Sequence, residues 1–190
     1  MGSRRQPFPY NISSSRVMIF IDGENLAIRY AESIGNLEPL KQVKFRRGVY
    51  VWSHLLNFPH HVTCDIVRKY YYTSLKGDQN TIDGVISELK DLGIEAPRVF
   101  KKYKTRGSKR VDISLAVDML MHASRKNYNV AVLVGGDEDY VPLVDAVMSE
   151  GRRVCLWFLE NGLSPLLKTR VDHFFDLGHV LLDEHADRYF

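Results

Sequence analysis

Cysteine is nearly missing from this chain. Its two residues, Cys64 and Cys155, stand far apart with no second thiol at ligand spacing, which excludes a disulfide framework and leaves no Cys/His set to suggest zinc. Both read as reduced, buried thiols of an intracellular, cytoplasmic protein. No G-x-G-x-x-G follows the first apolar run and no G-x-x-x-x-G-K-[ST] occurs, so the two common glycine-rich nucleotide cradles are excluded. Residues 1–15 lack an apolar core and no membrane-length apolar run follows, so neither a signal peptide nor a membrane association is expected. Internal repeats and long low-complexity tracts are also missing. The net charge is only +3, too small to indicate a nucleic-acid partner by itself; the placement of the charges has to decide.

What is present is a regular alternation. Apolar, β-branched or aromatic runs predict strands over 17–21, 64–72, 94–103, 130–134, 153–159 and 173–177. Helical spacing predicts helices over 23–34, 49–58, 81–92, 141–150 and 163–168, and another beginning at Val111. The stretch 38–47 reads as a polar, basic connection. Such alternation with long crossovers predicts one α/β domain over 16–178, a three-layer α/β/α arrangement on a mainly parallel, Rossmann-like sheet. A flexible N-terminal arm, 1–15, precedes it and a tail, 179–190, follows.

The chain is organised around Val130-Ala131-Val132-Leu133-Val134-Gly135-Gly136-Asp137-Glu138-Asp139, where a buried strand stops abruptly at two glycines and three acids. The pattern occurs a second time in Val17-Met18-Ile19-Phe20-Ile21-Asp22-Gly23-Glu24-Asn25. Ligands of open α/β sheets bind at such strand ends. Asp112 opens a further helix. Asp118 lies six residues on, about 600° of rotation away, so the two cannot both point straight at one centre; Asp118 reads as an outer or alternative ligand. Each acid has a plainer reading: Asp137, Asp139 and Asp112 are also suited to capping the helices they precede.

A second cluster has the opposite sign. Arg98, Lys101, Lys102, Lys104, Arg106, Lys109 and Arg110 crowd into 98–110 with Phe100 and Tyr103 between them. That is the footprint of a phosphate backbone, with a solvated surface loop as the alternative. Tyr70-Tyr71-Tyr72 reads as core packing before base stacking, and the His60-His61 pair as surface.

Carboxylates gathered at strand ends repel and raise one another's pKa unless a cation neutralises them; hard oxygen donors suit Mg²⁺ or Mn²⁺. A metal beside a basic segment serves phosphodiester hydrolysis, the cation holding the phosphate and activating water. A different acid-pocket phosphotransfer protein is disfavoured, since Asp22-Gly23-Glu24 lacks an Asp-x-Asp-x-Thr pattern and the adjacent acid pair of a receiver is absent.

Three motifs, in order, resemble the NYN domain, the LabA-like branch of PIN-like nucleases: Ile19 to Asn25, Lys109-Arg110-Val111-Asp112 with Leu115 and Asp118, and Val134 to Leu143 followed by Gly151-Arg152-Arg153-Val154. Gly135 stands where that family often has serine and Tyr140 where it often has phenylalanine. The resemblance implies a PIN-like sheet and a metal-dependent ribonuclease, with Asp22, Asp112, Asp137 and Asp139 at the acidic positions and Asn25 orienting water or phosphate. RNA is then the implied partner, held by Lys101, Lys102, Lys104, Arg106, Lys109 and Arg110. A homo-oligomer or a protein partner is compatible with it. An RNA-binding or regulatory module with weak or no cleavage is the alternative function. The middle of the chain, 38–103, matches the family only in general pattern, so substrate choice is not implied.

Overall fold

The computed structural model describes residues 8–9, 14–57, 64–102 and 109–186, and at Lys109 the backbone only. His60 and His61 therefore lie outside the described residues, as do Tyr103, Lys104 and Arg106. Strand β1 (Arg16–Asp22) leads into helix α1 (Gly23–Ile34), then into an antiparallel hairpin of β2 (Val43–Arg46) and β3 (Tyr50–Ser53). The chain continues through β4 (Asp65–Leu75), α2 (Gln79–Asp91), β5 (Ala96–Lys101), α3 (Lys109–Ser124), β6 (Val130–Val134) and α4 (Val141–Ser149). It ends with β7 (Arg153–Phe158), α5 (Pro165–Arg170), β8 (His173–Asp176) and α6 (Gly178–Leu181).

Six strands form one parallel sheet in the order β5-β4-β1-β6-β7-β8. The expected three-layer α/β/α architecture follows because β1 is buried on both faces. Val17, Ile19 and Ile21 join the core on the α1 and α2 side, while Met18 and Phe20 join the core under α3 and α4. From β1 the chain moves first toward β4 and β5, then crosses back through α3 to β6 on the other flank. That reversal leaves a crevice at the carboxyl ends of β1 and β6, the usual ligand position of such sheets. Ile21 pairs with Val134, so the two acid-bearing strand ends are neighbours, as the sequence predicts.

One helix expected over 49–58 does not form. Tyr50–Ser53 is a strand followed by a single 3₁₀ turn, His54–Asn57, and part of the supposed polar connection is its partner strand. The cause is tertiary. The Tyr71 hydroxyl donates to the Val51 carbonyl (3.1 Å) and accepts from its N–H (3.0 Å), fixing Val51 as extended chain, and Gly48 turns the hairpin at φ +66°. At the ends of the chain, Phe8 is buried with its ring edge-on to Trp157, and Val180, Leu181 and Ala186 are buried too, so parts of the expected arm and tail belong to the core. Among the described residues no helix is long and apolar enough to cross a membrane.

Tyr71 also explains Gly23. A Cβ there would stand 1.8 Å from Tyr71 Cε1, and the tyrosine cannot retreat because both its hydroxyl bonds are internal. Gly23→Ala is expected to destabilise the fold by about 1–3 kcal/mol through overpacking, read as a lower midpoint in urea unfolding.

Candidate active site

The site is assembled from three turns. β1 ends in Asp22, whose backbone delivers it to the start of α1, and its Oδ1 accepts the Asn25 N–H at 3.1 Å, so this aspartate does cap a helix. β6 ends at Gly135-Gly136, where space is tight: a Cβ at Gly136 would meet Phe158 at 2.2 Å and the Gly162 carbonyl at 2.8 Å, and one at Gly135 would meet Tyr140 at 2.9 Å, so that this ring would have to shift. Asp137 follows at the head of a 3₁₀ turn, Glu138–Tyr140, yet its carboxylate makes no capping bond. Instead Asp137 Oδ2 accepts from Asn25 Nδ2 at 2.8 Å, a bond that ties the β6 turn to α1. Asp112 comes from the first turn of α3, and Asp139 from the 3₁₀ turn itself.

Tyr140 joins these pieces. Its buried hydroxyl lies 2.8 Å from Asp22 Oδ2 and 3.4 Å from Asp112 Oδ1, donating to the nearer carboxylate. Asp112, Asp137, Asp139 and Tyr140 then line an open cleft of about 200 Å³ whose remaining walls are Ile113, Ala116 and Leu143. Asp22 forms the buried back of this group, 2% exposed, while Asp137 and Asp139 face solvent.

Electrostatics follow from that gradient of burial. Burial pushes the Asp22 carboxyl up to about 7; the Asn25 N–H and Tyr140 hydroxyl oppose this, and the charges of Asp112 and Asp137 add to it. Burial likewise raises Asp112, with Asp137 the next cause. The Tyr140 hydroxyl is pushed far above the usual tyrosine value by burial and by the Asp22 charge, so it stays a proton donor. Among the described residues, no three carboxylate, histidine or thiol groups already stand in ligand geometry about one point. Two neutral donors, Tyr140 and Asn25, occupy oxygens of the acids instead. One acceptor is left over: Asn25 Oδ1 is buried without a hydrogen-bond partner.

The structure places Asp118 elsewhere. Its Oδ2 accepts from the Tyr72 hydroxyl at 2.8 Å and lies 3.7 Å from Arg98 Nε, and it is not among the residues that line the cleft. The 600° separation from Asp112 has this consequence. The tyrosine run packs inward, Tyr70, Tyr71 and Tyr72 all being buried.

The basic segment divides. Lys104 and Arg106 lie outside the described residues, as does the Lys109 side chain. Lys101 is exposed. Arg110 is exposed and lies over the Phe100 ring, 4.9 Å from its centroid. Lys102 is not a free phosphate ligand: its ammonium is ion-paired with the buried Glu24 carboxylate, whose other oxygen accepts from Ser74 Oγ at 2.6 Å. Glu24 is close enough to raise Asp112, so this pair sits against the acid cluster. Lys102→Ala leaves Glu24 buried without its cation. The expected loss is about 2 kcal/mol, less than for a fully buried pair because Lys102 is a third exposed, and Glu24→Gln in the same chain should recover part of it in urea unfolding.

Tyr140 and Glu24 are the residues that sequence reasoning left without a role. A tyrosine directly after an acid pair in a strand-to-helix turn was the available signal for the first. The second had only its place beside Asp22, since its partner lies 78 positions away.

Residues 16–181 match the NYN domain family profile. Comparison with curated proteins finds no match. Among solved structures the chain is similar to a protein of unknown function from Vibrio parahaemolyticus, at 17% identity over 93% of this chain and 96% of that one with a TM-score of 0.63, a likeness of fold.

Proposed function

The chain belongs to the NYN domain family, a nuclease-like group, and on that premise we propose that it is a Mg²⁺- or Mn²⁺-dependent ribonuclease that cleaves RNA internally. The observation that carries this reading is the linkage of three acids from three separate elements, Asp22 with Asp112 through Tyr140 and Asp137 through Asn25, at the sheet's switch point. The motif preceding Pro142-Leu143 supports the LabA-like branch in particular.

The donor set fits a hard divalent cation. Its oxygens are carboxylate, burial and then mutual repulsion raise Asp22 and Asp112, and Asn25 Oδ1 is a buried acceptor without a hydrogen-bond partner. Asp22, Asp112, Asp137 and Asp139 are the residues that would hold the cation. Bound there, it supplies positive charge against the scissile phosphate and makes water more acidic. The chain's own contribution is positioning. Asn25 fixes the Asp137 carboxylate; Tyr140 holds Asp22 and Asp112 together; Ile113, Ala116 and Leu143 give the cleft an apolar wall against which a base can pack.

The test is cleavage of single-stranded and structured RNA, with DNA as control, in Mg²⁺ or Mn²⁺ and again in chelator. Metal-dependent RNA fragments are the expected result. Tight RNA binding with no cleavage in either metal overturns the enzyme reading and selects an RNA-binding module.

A further inference from the structure

A seam between α3 and the edge strand β5 is lined with arginines that the proposed chemistry does not use. Arg98 and Phe100 are two residues apart in β5 and share the face turned toward α3. α2 packs on the opposite face of β5, and α3 packs over β1 and β4, so the α3-side face of β5 is roofed largely by side chains. Arg110 reaches from the first turn of α3 to lie over Phe100, and Arg98 lies over Tyr70, 5.6 Å from its centroid. Arg68, exposed on β4 two residues before Tyr70, and Arg125, exposed just past the end of α3 and three residues after His122, whose Nε2 lies 2.9 Å from the Tyr70 hydroxyl, extend the line.

Three features separate this seam from an ordinary solvated surface. Its guanidiniums at Arg98 and Arg110 lie over aromatic rings, which restrains them, and a ring-supported guanidinium keeps N–H donors for phosphate. The Asp118 carboxylate in it is already held by Tyr72 and Arg98, and Glu95, beside its Arg68 end, is paired with Lys69. Arg68, Arg110 and Arg125 have no carboxylate at ion-pair distance among the described residues. The seam also has a direction. α3 runs antiparallel to the strands, so Arg110 stands at the end that carries Asp112, and Arg125 lies 15 residues further, about 22 Å away along the helix.

We propose that this seam is the track on which an RNA strand is held while one of its phosphodiesters lies in the acid cleft, with successive phosphates on Arg110, Arg98, Arg68 and Arg125. This rests on the ribonuclease reading of the cleft and adds where the rest of the substrate goes. An acidic polypeptide fits less well, because the upper end of the seam abuts Asp112 and its neighbours, which repel carboxylates, whereas a phosphate backbone brings condensed cations with it.

The experiment measures binding of labelled oligouridylates to the full chain in chelator, so that cleavage plays no part. One oligonucleotide is too short to span the seam and one is more than twice its length. The variant is Arg68→Gln with Arg125→Gln, both exposed and remote from the cleft. Affinity for the long probe is expected to fall roughly tenfold at 0.1 M salt, and the slope of log K against log salt to flatten by about 1.4, or 0.7 for each lost phosphate contact. Affinity for the short probe should hold, and Arg68→Lys with Arg125→Lys should restore most of the long-probe affinity. An equal loss for both lengths, no loss for either, or displacement of RNA by polyglutamate at equal charge concentration each overturns the track. Length-dependent binding by a chain that never cleaves RNA upholds the track while removing the nuclease reading.

Discussion

Asp137→Asn is expected to lower metal-dependent RNA cleavage by more than about a hundredfold, the upper range for losing an outer partner of a metal ligand, while leaving the fold as stable as before or slightly more so. Two roles for this aspartate make opposite demands. A helix cap stabilises the fold by about 1 kcal/mol, and Asn caps as well as Asp, so capping alone would show as a loss in Asp137→Ala but not in Asp137→Asn. The structure already removes that role: the Asp137 carboxylate bonds to Asn25 Nδ2 rather than to the backbone of the turn it heads. In Asp137→Asn the new amide oxygen can still accept that bond, so the variant deletes one charge from a repelling group and little else. Unfolding midpoints for both variants, measured with and without Mn²⁺, separate the cases. If both unfold more easily and the remaining folded protein cleaves at the parent rate, Asp137 is scaffolding and the proposed centre loses one of its two exposed acids.

Much of this arrangement could be read from the chain because the informative residues are local. Val17 to Ile21 and Val130 to Val134 are buried on both faces, so they are apolar throughout, and each stops where a glycine and an acid make a turn unavoidable. Strand, turn and carboxylate stand within ten residues of one another, and the parallel crossovers fix which ends coincide. The hairpin at 43–53 was not legible for the converse reason. Val49-Tyr50-Val51-Trp52 is apolar without alternation and serves a buried helix or a strand equally, and the choice is made by Tyr71, twenty positions on from Val51. Lys102 illustrates the same limit in the site. As one of seven cations in 98–110 it reads as a phosphate ligand, and only the fold reveals that a buried carboxylate from α1 has claimed it. Asp118 differs again, since its distance from Asp112 in helical rotation was visible but its partner Arg98 came from another strand.

Asp22 carries the largest expected effect on stability, and its sign runs against the usual behaviour of a carboxylate. Most aspartates are more acidic in a folded protein and stabilise it above their unfolded pKa. Asp22 is held at about 7 against an ordinary value of 3.8, because burial penalises its charge more than the Asn25 N–H and Tyr140 hydroxyl compensate. The folded state therefore binds the proton more tightly than the unfolded chain. The stability contributed by protonated Asp22 is fully present below about pH 4 and is lost progressively as pH rises through about 7; the interval corresponds to roughly 4 kcal/mol. Asp22→Asn removes the titration; its one amide oxygen can still accept the Asn25 N–H, while its NH₂ replaces the other oxygen and donates to the Tyr140 hydroxyl, which is left to donate to Asp112. In chelator the variant should match the parent near pH 4 and exceed it increasingly toward pH 8, where the difference levels off. Mn²⁺ at pH 8 should then raise the parent's unfolding midpoint and leave the variant's nearly unmoved, since the charge that costs stability in the metal-free protein is the one a cation would bind. Urea unfolding of both proteins across pH 4–8, with and without metal, reads the whole pattern. A difference that stays flat with pH would mean that Asp22 is ionised at no cost in the metal-free fold, and a midpoint indifferent to Mn²⁺ in the parent would remove the cation from the cleft.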